Sequence, residues 1–365
     1  MTAALNAVLA AELPVTEILA VEFAWWQTTV FKSVMAIVAV LIPAGATVYL
    51  YLFKMVSFMQ SRLGPMEAGP YGSMQLLAEL GKNLQKEDIF PAKADRTVFA
   101  LAPYVVLAST FLLAVVIPFG PDAMFTDIDT GVYLALAVSS ISVVGILMAG
   151  WASASKYSLL GGLRAAGQLI AYELPLILAV VGVVIQAGTL SLQGIIARQA
   201  QGEIFGFGGI GNPYFLTQAV GFLIFMIAVQ AELTQVPFDM PIAESELVSG
   251  YMTEYSGFRF LMFFIGEFAT ANIFAFLASV LFLGGWAVPP FVTDLLGVEW
   301  DSNLMNVLGP LVMLIKMLLL TFVIYWVRFT FPRFREDQLQ KFAWKILIPL
   351  SLVNIAATGV LKVVF

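Results

Sequence analysis

The stretch AELTQVPFDMPIAESELVSGYMTEYSG, positions 231–257, contains five carboxylates, Glu232, Asp239, Glu244, Glu246 and Glu254, and no basic residue. An isolated, solvated glutamate titrates near about 4.3, too low to hold a proton at neutral pH. Desolvation and like-charged neighbours both favour the protonated form, and crowded carboxylates titrate as a group. An acidic cluster without cations of its own is therefore suited to holding and passing protons. Three more ionisable residues interrupt long apolar runs: Glu173 in IAYELP, Glu267 in FIGEFA and Lys316 in LVMLIKMLLL. Charges in such runs are costly and mark either an ion path or a paired polar network. A Lys316–Glu267 ion pair is the structural alternative. Arg259 shares a helix face with Glu267 but lies about 12 Å away along the axis, too far to pair with it. For the stretch as a whole the plain alternative is a solvated acidic loop. Against that, Val236, Phe238, Met240, Ile242, Leu247, Val248 and Tyr251 alternate with the acids. Such an amphipathic segment is expected to lie against the membrane or a partner.

The elements that must position these groups follow from composition. Hydrophobic residues make up 60% of the 365, charged residues 12%, and the mean hydropathy is +0.92. Apolar stretches long enough to cross a bilayer core of roughly 30 Å recur along the chain. About eight spans are expected, near 29–53, 97–119, 131–151, 168–188, 215–231, 260–284, 307–328 and 343–363. The fold class is all-α, a polytopic membrane protein, with amphipathic interfacial helices in its cytoplasmic loops. One such helix is expected near 72–86, with Met74, Leu77 and Leu84 on its apolar side, too short to span. Residues 1–28, with Glu12, Glu17 and Glu22, read as an extramembrane or interfacial segment, and 29–365 as one integral membrane domain. The chain has no Cys and no His. Iron–sulfur ligation by Cys is excluded, and zinc or haem would lack their usual ligands. No metal site is expected, and no nucleic-acid partner.

Basic residues set the orientation. Arg62, Lys82, Lys86, Lys93 and Arg96 follow the first span, Lys156 and Arg164 the third, and Arg333, Arg335 and Lys341 the seventh. The opposite loops carry Asp122, Asp127, Asp129, Asp294, Glu299 and Asp301, with Arg198 the one basic residue of 189–214. Loops 54–96, 152–167, 232–259 and 329–342 are then cytoplasmic and both termini lie outside. The acidic stretch sits on the side where basic residues are expected.

Four motifs, QSRLGPMEAGPYG with KEDIFP, GWASASKYSLLGGLRAAGQLIAYELPL, AELTQVPFDMPIAESELVSGYMTEYSGFRF and WVRFTFPRFREDQL, together resemble the H-type subunit of proton-pumping NADH:quinone oxidoreductase, respiratory complex I. In mitochondria the equivalent chain is NADH dehydrogenase subunit one. The likeness runs from about residue 45 to the C-terminus. It implies a subunit of the bacterial inner (plasma) membrane, at the heel of the membrane arm. Such a subunit docks the hydrophilic arm and walls the chamber in which quinone, the substrate, is reduced. NADH, FMN and iron–sulfur clusters would belong to partner subunits. Small membrane-arm subunits would lead on to antiporter-like ones.

Carried onto this chain, the acidic relay implied is Glu173, Glu232, Asp239, Glu244, Glu246, Glu254 and Glu267, to which Lys316 is added from its place inside a span. The quinone chamber implied is Gln60, Arg62, Glu79, Phe238, Arg259, Phe264 and Phe268. The chain departs from the family pattern at Leu52-Phe53, Met66-Glu67, Glu79, Ile242 and Phe268. Two alternatives stand beside this reading. One is the equivalent subunit of a membrane-bound hydrogenase or other dehydrogenase complex, in which the QSRLGP mouth would matter less. The other is a stand-alone secondary transporter using Glu173, Glu267 and Lys316, which would call for an inverted repeat that the sequence does not display.

Overall fold

The computed structural model describes residues 25–121, 123–202, 211–290 and 305–364. Glu12, Glu17, Glu22, Asp122, Asp294, Glu299 and Asp301 lie outside the described residues. The described chain is helical throughout its regular elements. Helix α1 (Trp25–Thr47) runs on through a π-helical segment, Val48–Met55, and a last turn, Val56–Met59. The short α2 (Gln75–Gln85) follows. Then come α3 (Arg96–Val116), α4 (Gly131–Ala152), α5 (Lys156–Ala187) and α6 (Leu192–Gln201). After these come α7 (Ala219–Glu232), α8 (Gly257–Phe282) and α9 (Met305–Thr330). Last in order is α10 (Glu336–Phe342), which passes through a π-helical segment into α11 (Ile348–Val364).

Seven helices among the described residues are long and apolar enough to cross a membrane, and Ala219–Glu232 is apolar but shorter. Its 14 residues rise only about 21 Å. The expected span 215–231 is completed by a separate turn, Tyr214–Thr217, with the break at Gln218 (φ −114, ψ 38). The Gln218 amide explains the break. It donates to Thr358 Oγ1 at 2.7 Å and accepts from Asn354 Nδ2 at 2.9 Å, tying α7 to α11.

The expected loop 152–167 is corrected to a three-residue link, because α5 starts at Lys156 and continues unbroken to Ala187. Nothing in KYSLLGGLRAAG forbids helix, and its glycines serve contact. A Cβ on Gly161 would stand 2.6 Å from the Tyr251 amide nitrogen and 2.7 Å from Gly250 Cα. Gly250 itself sits at φ +55, and a Cβ there would meet the Pro241 carbonyl oxygen at 1.7 Å. The acidic loop is thus pressed against α5 where no side chain would fit.

That loop is also corrected in its placement. Most of its apolar side is turned inward, with Val248 left exposed. Phe238, Met240, Leu247, Tyr251, Met252 and Tyr255 are buried in the chain's own bundle. Tyr255 stacks on Phe99 at 4.0 Å between centroids and donates to the Phe99 carbonyl at 3.1 Å. Helix α8 is the most buried of the long spans and packs against α1, α3 and α9, with the acidic loop at its start.

Candidate functional site

Two cavities are bordered by residues of α8. The first, about 400 Å³, is enclosed by α1, α2 and α8. Ala44, Val48, Leu76, Phe260, Phe264 and Phe268 make an apolar wall, and Glu79, Lys82, Asn83 and Lys86 stand along α2. The expected helix is present, but the residues it turns to this space are Leu76 and Leu80, while Met74, Leu77 and Leu84, expected on its apolar side, are exposed. Glu79 accepts from Gln75 Nε2 at 3.2 Å. Phe264 and Phe268 pack at 4.5 Å, and Phe268 stacks in turn on the fully buried Tyr325 at 6.1 Å. Gln60 and Arg62 are exposed in the turn after α1, where Arg62 Nε donates to Gln60 Oε1 at 2.8 Å. They do not line this wall. Arg259 is paired with Asp88 and lies over the Phe90 ring at 4.1 Å, fixing the chain after α2 to the start of α8. Phe238 is a core residue between Tyr172 (5.2 Å) and Phe334 (5.6 Å).

The second cavity, about 570 Å³, is acidic. Asp239, Glu244 and Glu267 face Arg328 and Arg333 across it, with Thr234, Gln235 and Ile242 in the wall. Burial pushes the Asp239 carboxyl above the usual aspartate range, opposed by the Ala243 N–H (3.4 Å) and the two arginines. Glu267 accepts from Arg328 at 3.2 Å, and the same guanidinium lies 5.6 Å from the Phe268 ring. Glu267 also borders a third, inner space of about 50 Å³. That space is lined by Glu232, Ser109, Thr110, Ser139, Ser142, Thr234, Tyr251 and Thr270. Glu232 Oε2 is buried there without a protein partner. Glu173 accepts from Ser140 Oγ and lies within electrostatic reach of Glu232. Glu254 is half-buried in the turn before Tyr255 and lines none of the three spaces.

Two expectations are overturned. The acidic loop is not free of cations, because arginines distant in sequence reach it. Glu246 is bracketed by Arg164 at 2.7 Å and by Arg333, and Arg164 also approaches Glu336 at 3.6 Å. The hydrogen bond from Arg164, with the charge of Arg333, holds the Glu246 carboxyl below the usual glutamate range. Nor does Lys316 pair with Glu267. Its ammonium donates to the carbonyls of Leu283 (2.8 Å), Gly285 (2.7 Å) and Ala287 (3.0 Å), closing the C-terminal end of α8. Those are carbonyls of the C-cap and of the turn that follows the helix, converging on one cation. Sequence reasoning missed Arg164, Arg328 and Arg333 as site residues. Arg328 carried a signal, being a charge near the end of an otherwise apolar run. The hydroxyls around the inner space carried none, since serine and threonine are ordinary in membrane helices.

The profile of the NADH dehydrogenase family matches residues 31–359. An H-type subunit of NADH-quinone oxidoreductase from Brevibacillus brevis is 40% identical over 338 residues, covering 92% of this chain and 94% of the relative. A Bacillus mycoides protein of the same name is 44% identical over 313 residues, 86% of this chain and 87% of the relative. The chain belongs to this family. Glu79, Ile242 and Phe268, three expected departures from the family pattern, all stand on cavity walls.

Proposed function

We propose that this chain is the heel subunit of a proton-translocating NADH:quinone oxidoreductase, which holds quinone in one cavity beside α8 and relays charge through the other. The carrying observation is that Glu267 and Phe268, neighbours in sequence, border the acidic and the apolar cavity respectively. As successive residues of one helix they point about 100° apart around α8, so one helix serves both cavities. An apolar wall of phenylalanines suits an isoprenoid-bearing quinone, which enters from the bilayer between α1, α2 and α8. Electrons come from partner subunits that carry NADH, FMN and iron–sulfur centres, since this chain has no cysteine or histidine.

Reducing a quinone to a quinol takes up two electrons and two protons. Within this chain the path for the resulting charge change is Asp239 and Glu244, then Glu267, then Glu232 and Glu173. Glu267 alone of these borders both the acidic cavity and the inner space. The inner space is large enough for bridging water and polar enough to hold it. Beyond Glu173 the disturbance passes to small membrane-arm subunits and on to antiporter-like ones. Glu246 has a different part. Clamped by two arginines, it remains an anion and fixes the loop to α5 and to the 328–335 segment. Gln60, Arg62 and Arg259, at the basic end of the bundle, belong to the mouth of the chamber and the face that docks the hydrophilic arm.

The protein resides in the bacterial inner membrane with its basic end cytoplasmic and both termini outside. Residues 29–365 act as one integral domain, and 1–28 as an interfacial segment. Family membership supports a quinone enzyme over a hydrogenase or a solitary transporter. The test is Glu232→Gln and Glu267→Gln in the assembled complex. Quinone reduction and proton pumping fall while the complex stays whole; full pumping in both variants overturns the relay.

A further inference from the structure

At the basic end of the bundle, α3, α4 and α5 meet around a groove of about 370 Å³ that shares no lining residue with the three spaces described above. Its walls are apolar: Val98, Leu147, Met148, Trp151, Leu159 and Leu163. The tips of α3 and α4 are tied there by the Asp95 N–H, which donates to the Ala152 carbonyl at 3.1 Å. Trp151 is 75% exposed. An indole so placed on a membrane protein sits best at the level of lipid headgroups.

The rim is cationic. Lys156 precedes Leu159 and Leu163 by three and seven residues and so lies on the same face of α5. Arg96 opens α3 two residues before Val98, on a different face of the helix, so only its long side chain could reach the rim, and Lys93 lies in the chain just before it. All three are exposed, and among the described residues none makes an ion pair. The neighbouring acid, Asp95, is engaged in capping α3 through the amides of Thr97 (3.1 Å) and Val98 (3.3 Å).

We propose that this groove binds an anionic phospholipid of the surrounding bilayer. One acyl chain lies along the apolar floor, Trp151 packs at the glycerol level, and the phosphate is held chiefly by Lys156, with Arg96 and Lys93 adding positive charge nearby. The groove suits a chain rather than a helix, whose width with side chains is about 10–12 Å. A zwitterionic lipid would bring its own cation to a rim that already has three. An anionic headgroup is matched to them, and basic pockets between membrane helices are known to select such headgroups.

The experiment uses the intact complex in phosphatidylcholine bilayers doped with a phosphatidylglycerol carrying a photoreactive acyl chain. A phosphatidylcholine with the same chain serves as control. Peptide mapping should place phosphatidylglycerol adducts in 147–151 and 159–163, with little from the control. Lys156→Gln should reduce labelling about fivefold, Arg96→Gln should reduce it less, and Lys156→Arg should restore it. Quinone reductase activity reports that each variant complex is assembled. Equal labelling by both probes, labelling indifferent to the charges, or no labelling overturns the proposal. So does a photoreactive residue at position 151 that captures a neighbouring protein instead.

Discussion

Glu246 and Glu232 come from one acidic stretch, fourteen residues apart in the chain, yet their neighbours give them opposite chemistry. Glu246 is an exposed residue gripped by Arg164 and Arg333, and its carboxyl stays below the ordinary range. It is a fixed anion. Glu232 faces a small space lined with hydroxyls, and one of its oxygens is buried with no protein partner. The arginines that distinguish them stand 82 and 87 residues from Glu246 in sequence. Density of carboxylates along a chain therefore says little about which can exchange protons. What decides is the compensating charge that folding brings in from elsewhere.

The largest effect tests this contrast head on. Glu232→Gln keeps the shape but removes the exchangeable proton. Proton-coupled quinone reduction in the assembled complex is expected to fall about tenfold or more. Glu246→Gln is expected to stay within about twofold of wild type, since a surface ion pair contributes little. If Glu246→Gln proves the more damaging, the division between anchor and relay is reversed. The next effect concerns the Arg328–Glu267 pair. Arg328→Gln leaves Glu267 poorly solvated and uncompensated, at a cost approaching ~3 kcal/mol. This should appear as a lowered thermal midpoint of the purified complex. Adding Glu267→Gln to that variant should recover part of the loss. Simple additivity of the two changes would mean that the pair is not coupled.

Much of this architecture was legible in the sequence because bilayer thickness and backbone satisfaction leave few options for a long apolar run. Most spans and the existence of the amphipathic α2 fall near their expected places. The helix boundaries were less legible. The link between α4 and α5 shrank because Gly161 and Gly162, which look like turn formers, serve close packing within a helix. The break before α7 depended on Gln218 finding partners on α11, a contact between positions 136 and 140 residues apart. The electrostatics of the candidate site were not legible, because the arginines that meet its acids come from distant parts of the chain. Glu232, Asp239, Glu244 and Glu267 border two spaces that share Glu267, with Glu173 outside both and within electrostatic reach of Glu232. Lys316, a charge in an apolar run like Glu267, turned out to satisfy carbonyls of the C-cap and turn after α8, and no periodicity separates those two cases.

Lys316 gives the next prediction down in size. Lys316→Met removes three charge-assisted hydrogen bonds from carbonyls at the end of α8. The expected cost is about 2 kcal/mol, again read as a thermal midpoint. The solvent isotope effect on quinone reduction should be unchanged, because Lys316 touches none of the described cavities. An altered isotope effect would return Lys316 to the relay.

The smallest effect is the most discriminating. The Glu246 pKa is lower in the folded chain than in an unfolded one, so its stabilisation is fully present above the unfolded value of about 4.3. It is lost as pH falls through the lower folded value. Wild type and Glu246→Gln should then differ by a constant margin, under about 1 kcal/mol, from neutrality down to about pH 5. Below about pH 4 the two should converge, because protonated Glu246 resembles the glutamine that replaces it. A margin that instead shrinks between about pH 6 and 8 would mean that Glu246 takes up protons near neutrality despite its arginines. In that case the whole loop, and not only its inner members, belongs to the relay.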